Sequence, residues 1–185
     1  VPFKPNPFYL RQSMISSYLQ CPDKFYDTYE NGYSEDTIFT MTGTAIHGIM
    51  EDFYKNPAAA DVPALFEQWW TSHSTPEWDW YRDWKEMVDQ YFKRQLNRDQ
   101  PQILALEFEF RTGRDGLGEI NGVPVSGTID RIDRVDANTI KIVDYKTNFQ
   151  PFTNAQLEES TQFMMYTNVL MELKHLFGEF DTVIC

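Results

Sequence analysis

The chain is short of three things, and each shortage excludes something. Cysteine occurs only at Cys21 and Cys185, too few for a disulfide framework, so a reducing compartment, the cytoplasm, is expected. Positive charge is scarce: 16 Lys and Arg stand against 28 Asp and Glu, for a net charge of −12. That balance argues against coating nucleic acid by bulk electrostatics. A nucleic-acid enzyme stays open, because site carboxylates inflate the negative count and a bound metal offsets them locally. Long apolar runs are also missing; none approaches the ~18 residues of a membrane span. The opening "VPFKPNPFYL" lacks the regions of a signal peptide. Because residue 1 is Val and "DTVIC" reads as an interrupted strand, a processed or fragmentary chain is expected.

What is present is material for a core. Hydrophobic residues make up 42% of the 185, and aromatics 16%. A single domain spanning 1–185 is the expectation.

Hydrophobic periodicity divides the chain into a helical half and a mixed half. Residues 11–30 predict two short helices, capped at Ser13 and broken near Cys21-Pro22. Ile46, Ile49, Met50 and Phe53 recur at helical intervals over 42–56, and Asn56-Pro57 ends that run. A loop "NPAAADVP" and helices over about 62–72 and 78–98 follow. From 102 the period becomes two: "QILALEFEFRT" reads as a strand, "GRDGLGE" as a turn, and 119–134 and 139–146 as further strands. Residues 154–177 predict one amphipathic helix, opened by Asn154 and ended near Gly178, before a last strand over 181–185.

Chemistry concentrates in "GTIDRID" (127–133) and "IVDYKT" (142–147). Asp144 and Lys146 share a strand face in that reading, and Asp130 lies on the preceding strand, joined by a short connection. Two inward acids on neighbouring strands repel each other unless a proton or cation intervenes. Oxygen ligands favour Mg²⁺ or Mn²⁺ over Zn²⁺.

These two segments resemble the PD-(D/E)xK nuclease superfamily, specifically its RecB-like branch. Four more pieces agree in order: "SMISSYLQCPDKFY" (13–26), "GTAIHGIME" (43–51), "ALEFEF" (105–110) and "QFMMY" (162–166). The resemblance spans the chain except the Trp-rich 57–101. It implies an α/β, restriction-endonuclease-like core, a central mixed β-sheet flanked by helices, with 57–101 as a helical insertion. It implies His47, Asp130, Asp144 and the Tyr145 backbone carbonyl as metal ligands, and Glu107 as an assisting acid. Lys146 would stabilise charge on the scissile phosphate or orient the attacking water. Gln162 and Tyr166 would hold the DNA strand or support the lysine. The activity implied is metal-dependent hydrolysis of DNA, exonucleolytic and on single-stranded ends, in recombination and repair or CRISPR adaptation, with a helicase or recombination partner. A bacterial cytoplasm, or a host cytoplasm for a viral protein, is the corresponding setting. An inactive nuclease-fold scaffold is the rival reading.

Other residues have plainer readings beside the sharper ones. Glu109 competes with Glu107, and Glu51 lies one helical turn from His47. Asp133 reads as a salt-bridge partner of Arg131 or Arg134. Trp69, Trp70, Trp78, Trp80 and Trp84 read as core in preference to base-stacking platforms. Lys24, Lys93, Arg94 and Arg98 are candidate strand contacts or solvated charges. In several RecB-like nucleases a cysteine at the place of Cys21 joins three C-terminal cysteines around an iron–sulfur cluster. With only Cys185 besides, a cluster within this chain is not expected.

Overall fold

The computed structural model describes residues 8–33, 37–58, 60–73, 81–96, 101–147 and 152–185, without the side chains of 38, 39, 73 and 81. Trp78, Trp80 and Arg98 lie outside the described residues.

Two short helices come first, α1 (Gln12–Gln20) and α2 (Pro22–Tyr29), divided at Cys21 as the Cys-Pro pair predicts. Arg11, not Ser13, is the N-cap of α1, and no side chain caps it. Helix α3 (Ile38–Lys55) starts four residues earlier than its apolar pattern suggests, because Thr37 and Thr40 close a capping box. Helices α4 (Val62–His73) and α5 (Tyr81–Leu96) follow.

The second half carries the sheet, in the order β1-β2-β3-β4. Strands β1 (Gln102–Arg111), β2 (Ser126–Arg134) and β3 (Thr139–Val143) pair antiparallel. Strand β4 (Thr182–Ile184) returns parallel to β3, so the sheet is mixed. The predicted strand over 119–134 begins only at Ser126. Asn121 and Gly122, at φ 52° and 75°, form a two-residue turn that exchanges hydrogen bonds between Ile120 and Val123. The predicted helix over 154–177 is three: α6 (Asn154–Glu158), α7 (Thr161–Glu172) and α8 (Lys174–Phe177). Thr153 caps α6 with its side-chain oxygen, and Ser160 does the same for α7, dividing it from α6.

Two buried clusters hold these elements. One joins the sheet to α7 through Ile129, Ile132, Ile140, Ile142, Val169 and Leu170. The other joins α3, α4 and α5 through Ile49, Phe53, Phe66, Val88 and Phe92, with Trp70 buried and Trp69 and Trp84 packed against it. The described tryptophans are therefore core, as expected. Gly48 of α3 is where α4 comes closest: a Cβ there would lie 2.4 Å from the Trp69 ring, which Asp52 holds through Nε1 at 2.8 Å. Gly48→Ala is expected to lower stability by about 1–3 kcal/mol, the overpacking exceeding the gain in helix propensity. Thermal melting checks it; an unchanged or higher melting temperature would show that the indole yields freely.

Candidate active site

The site begins with an irregularity in β1. Pairs Leu106↔Arg131 and Phe108↔Ile129 flank the position where Glu107 and Asp130 stand opposite each other. Glu107 has φ 46°, a left-handed conformation that a non-glycine residue adopts at a cost of about 1–3 kcal/mol. Leu106 consequently packs into the helical core while Phe108 packs against the sheet–α7 core, although a regular strand would put both on one face. The kink leaves the Glu107 carboxylate beside that of Asp130.

Helix α3 supplies the third group. Ligand atoms of His47, Glu107 and Asp130 lie within 4.8 Å of one another. His47 Nε2 donates to the Tyr145 carbonyl at 2.9 Å, so in the neutral ring Nδ1 is the nitrogen free to ligate; it faces Asp130 Oδ1 at 3.5 Å. Asp130 Oδ2 accepts the Tyr145 backbone N–H at 2.7 Å. Burial opposes charging of the imidazole, but the hydrogen bond and charge of Asp130 outweigh it and raise the His47 pKa. Burial, then the Asp130 charge, also raises the Glu107 pKa, with Glu51 and Asp144 adding to it. Mutually repelling acids around one imidazole are what a divalent cation relieves, and the three groups together could hold one.

Asp144 and Lys146 lie just past the sheet. Strand β3 ends at Val143, short of the predicted 146, because the Tyr145 N–H turns to the Asp130 side chain instead of a neighbouring strand. The two residues nevertheless meet: Lys146 Nζ is 2.6 Å from Asp144 Oδ2, an ion pair. Asp144's side chain is 3% exposed and that of Lys146 39%, so the amine reaches outward from a buried anchor. Burial raises the Asp144 pKa although Lys146 opposes it. Glu107, not Asp144, thus completes the trio with His47 and Asp130.

Behind Asp144 stands α7. Gln162 Nε2 donates to Asp144 Oδ1 at 2.7 Å and to the Tyr166 hydroxyl at 3.0 Å, which donates to the Thr128 carbonyl at 2.7 Å. Burial pushes the Tyr166 pKa up to about 12, keeping that hydroxyl a donor. Both side chains are buried, and their polar groups bond Asp144, Thr128 and each other. Lys24 is exposed on α2 and no described contact joins it to the site. Glu109 is turned outward to Arg114 at 3.5 Å. Glu51 pairs with Lys55 at 3.0 Å. Asp133 pairs with Arg131 at 2.9 Å, as expected.

One support had no sequence signal beyond that pair. Arg131, buried, stacks 4.2 Å from the Tyr54 ring and donates to the Tyr145 hydroxyl at 2.7 Å. It fixes the residue whose peptide groups bond both His47 and Asp130.

Comparison with known proteins gives the family. A family model for the PD-(D/E)XK nuclease superfamily matches residues 10–180. Two curated proteins from Lactococcus lactis, each named as a subunit of an ATP-dependent helicase/deoxyribonuclease, are similar over 119 residues. The protein of subsp. lactis strain IL1403 is 26% identical and that of subsp. cremoris strain SK11 24%. Those residues are 60% of this chain but 11% of either relative, so the chain spans a small part of their length.

Proposed function

This chain belongs to the PD-(D/E)XK nuclease superfamily, and on that premise we propose that it hydrolyses DNA with Mg²⁺ or Mn²⁺, as an exonuclease on single-stranded ends. The observation that carries the reading is the gathering of His47, Glu107 and Asp130 from three separate elements, with Lys146 at the neighbouring acid. When bound, a divalent ion lowers the pKa of water and polarises a phosphoryl oxygen. His47, Glu107 and Asp130 are the residues that would hold it, with the Tyr145 carbonyl offering its second lone pair and Asp144 an alternative acid.

The protein's own groups do the rest. Asp144, clamped by Gln162, holds the Lys146 amine at the rim of the site. There a compact positive charge stabilises the extra negative charge of a pentacovalent phosphate. Arg131 holds Tyr145, and Tyr145 in turn bonds Asp130 through its N–H and His47 through its carbonyl. None of the described helices is long and apolar enough to cross a membrane. The names of the two relatives describe parts of a helicase/deoxyribonuclease, which supports recombination or repair beside a helicase as the setting.

Labelled linear and circular single-stranded DNA, with duplex controls, incubated with Mg²⁺, Mn²⁺ or EDTA, test the reading. Shortening of linear single strands with either metal, none with EDTA and intact circles are expected. Cut circles would make it an endonuclease, and binding without turnover under any metal would make it a scaffold.

Gln162→Ala should reduce turnover about 10–100-fold by freeing Asp144, the magnitude of missing outer hydrogen bonds at metal sites. A rate within about twofold of wild type would remove Gln162 from the support of Asp144.

A further inference from the structure

Beyond Asp144's supports the surface opens into a groove of about 1100 Å³, one wall of which is Gln162 and Tyr166. Arg11, Arg111 and Arg114 line it, in a chain whose net charge is −12. Glu30 and Glu109 line it as well, but Glu109 is engaged by Arg114, which also meets Asp115 at 3.2 Å. Arg111 lies 5.5 Å from the Tyr9 ring centroid, and no ion-pair partner of Arg11 occurs among the described residues. The topology brings these residues together: Leu10 bridges Val125 and accepts from the Ser126 N–H at 3.1 Å, while Ser126 pairs with Arg111 across β1 and β2.

Two further features face the same place. Helix α1 starts here with no side-chain cap and no acidic residue in its first turn, and Gln12 and Ser13 at its start line the groove. Ser126, 9% exposed, lines it too, and its buried hydroxyl has no hydrogen-bond partner. A buried hydroxyl without a protein partner is available to one from outside the fold. Guanidinium groups, free helix-terminal amides and a hydroxyl are together the donor set of a phosphate site.

We propose that this groove seats a backbone phosphate of the DNA strand, held by Arg11, Arg111, the first amides of α1 and the Ser126 hydroxyl. The assignment rests on the nuclease reading for its ligand and extends it to a binding track leading to Gln162. Lys24, exposed on α2, is not among the residues that line it.

Fluorescence anisotropy of a fluorescein-labelled oligothymidylate in EDTA, over a series of NaCl concentrations, tests it without any cleavage. Arg11→Ala with Arg111→Ala should weaken binding at least about tenfold, as removal of charge-assisted hydrogen bonds does. The log–log salt slope should fall by about 0.7 for each phosphate of the single strand that is no longer neutralised. Ser126→Ala should weaken binding about fivefold, the size of one neutral hydrogen bond, without lowering the melting temperature. Affinity and salt slope unchanged in the double variant overturn the assignment, as does a Ser126→Ala protein that melts lower and binds as wild type. A wild type that binds but never cuts would fail the nuclease reading and leave the groove standing; variants of an active enzyme that bind normally would do the reverse.

Discussion

Replacing Asp130 by asparagine is expected to abolish metal-dependent cleavage and weaken divalent-ion binding by about 100-fold or more. Removing an outer-shell partner alone costs about 10–100-fold, and Asp130 stands inside the cluster itself. Its Oδ1 faces His47 at 3.5 Å and its Oδ2 accepts the Tyr145 N–H at 2.7 Å. Asparagine keeps the shape and one acceptor, so the Tyr145 bond survives while the negative charge disappears. Without metal the variant should melt no lower than wild type, because Glu107 and Asp144 lose a repelling neighbour. The stabilisation that added ion gives the wild type, about 2.7 kcal/mol at a hundredfold excess over Kd, should vanish. Calorimetric titration with Mn²⁺ and melting with and without metal measure both. Wild-type affinity in the variant would mean that the ion, if one binds, sits elsewhere.

Lys146→Ala is expected to separate binding from chemistry. Turnover should fall about 10²–10³-fold, the usual consequence of removing one group that stabilises transition-state charge. Metal affinity should stay measurable, because Lys146 is not among the clustered ligands. The variant leaves Asp144 buried without its 2.6 Å partner, so Gln162 becomes its remaining described clamp. Lys146→Arg should not restore the rate: a planar fork is a poor substitute for a compact ammonium at this position. Single-turnover kinetics at saturating DNA and metal give the comparison. An alanine variant cutting at wild-type rate would exclude Lys146 from the chemistry.

Much of the site could be read before any coordinates. His47 falls on an amphipathic helix four residues after Gly43, and Asp130 lies on a strand that a tight connection joins to the strand leading into Asp144. Such patterns report local geometry, since side-chain direction follows the helical or strand period. The choice between Glu107 and Glu109 could not be read that way. Two residues apart on a regular strand they are equivalent, and only the left-handed backbone at Glu107 separates them. The end of β3 was equally hidden, because the Tyr145 N–H finds its acceptor in a side chain fifteen positions earlier. The single predicted helix over 154–177 failed for a different reason: the Ser160 side chain caps a new helix after α6, and periodicity does not register such a bond. Asn121-Gly122 was a turn signal standing in plain view inside a run read as strand.

By itself the sequence determined the kinds of element, their order, the acids and imidazole available for a metal and the lysine beside them. These follow from composition and period, which act over a few residues. Tertiary structure alone decided which acid stands with His47 and Asp130, that Gln162 bonds both Asp144 and Tyr166, that Arg131 bonds Tyr145, and that Arg11, Arg111 and Ser126 share one groove. Those arrangements join positions far apart along the chain. Their geometry depends on how strands pair and layers pack, and no local pattern encodes it.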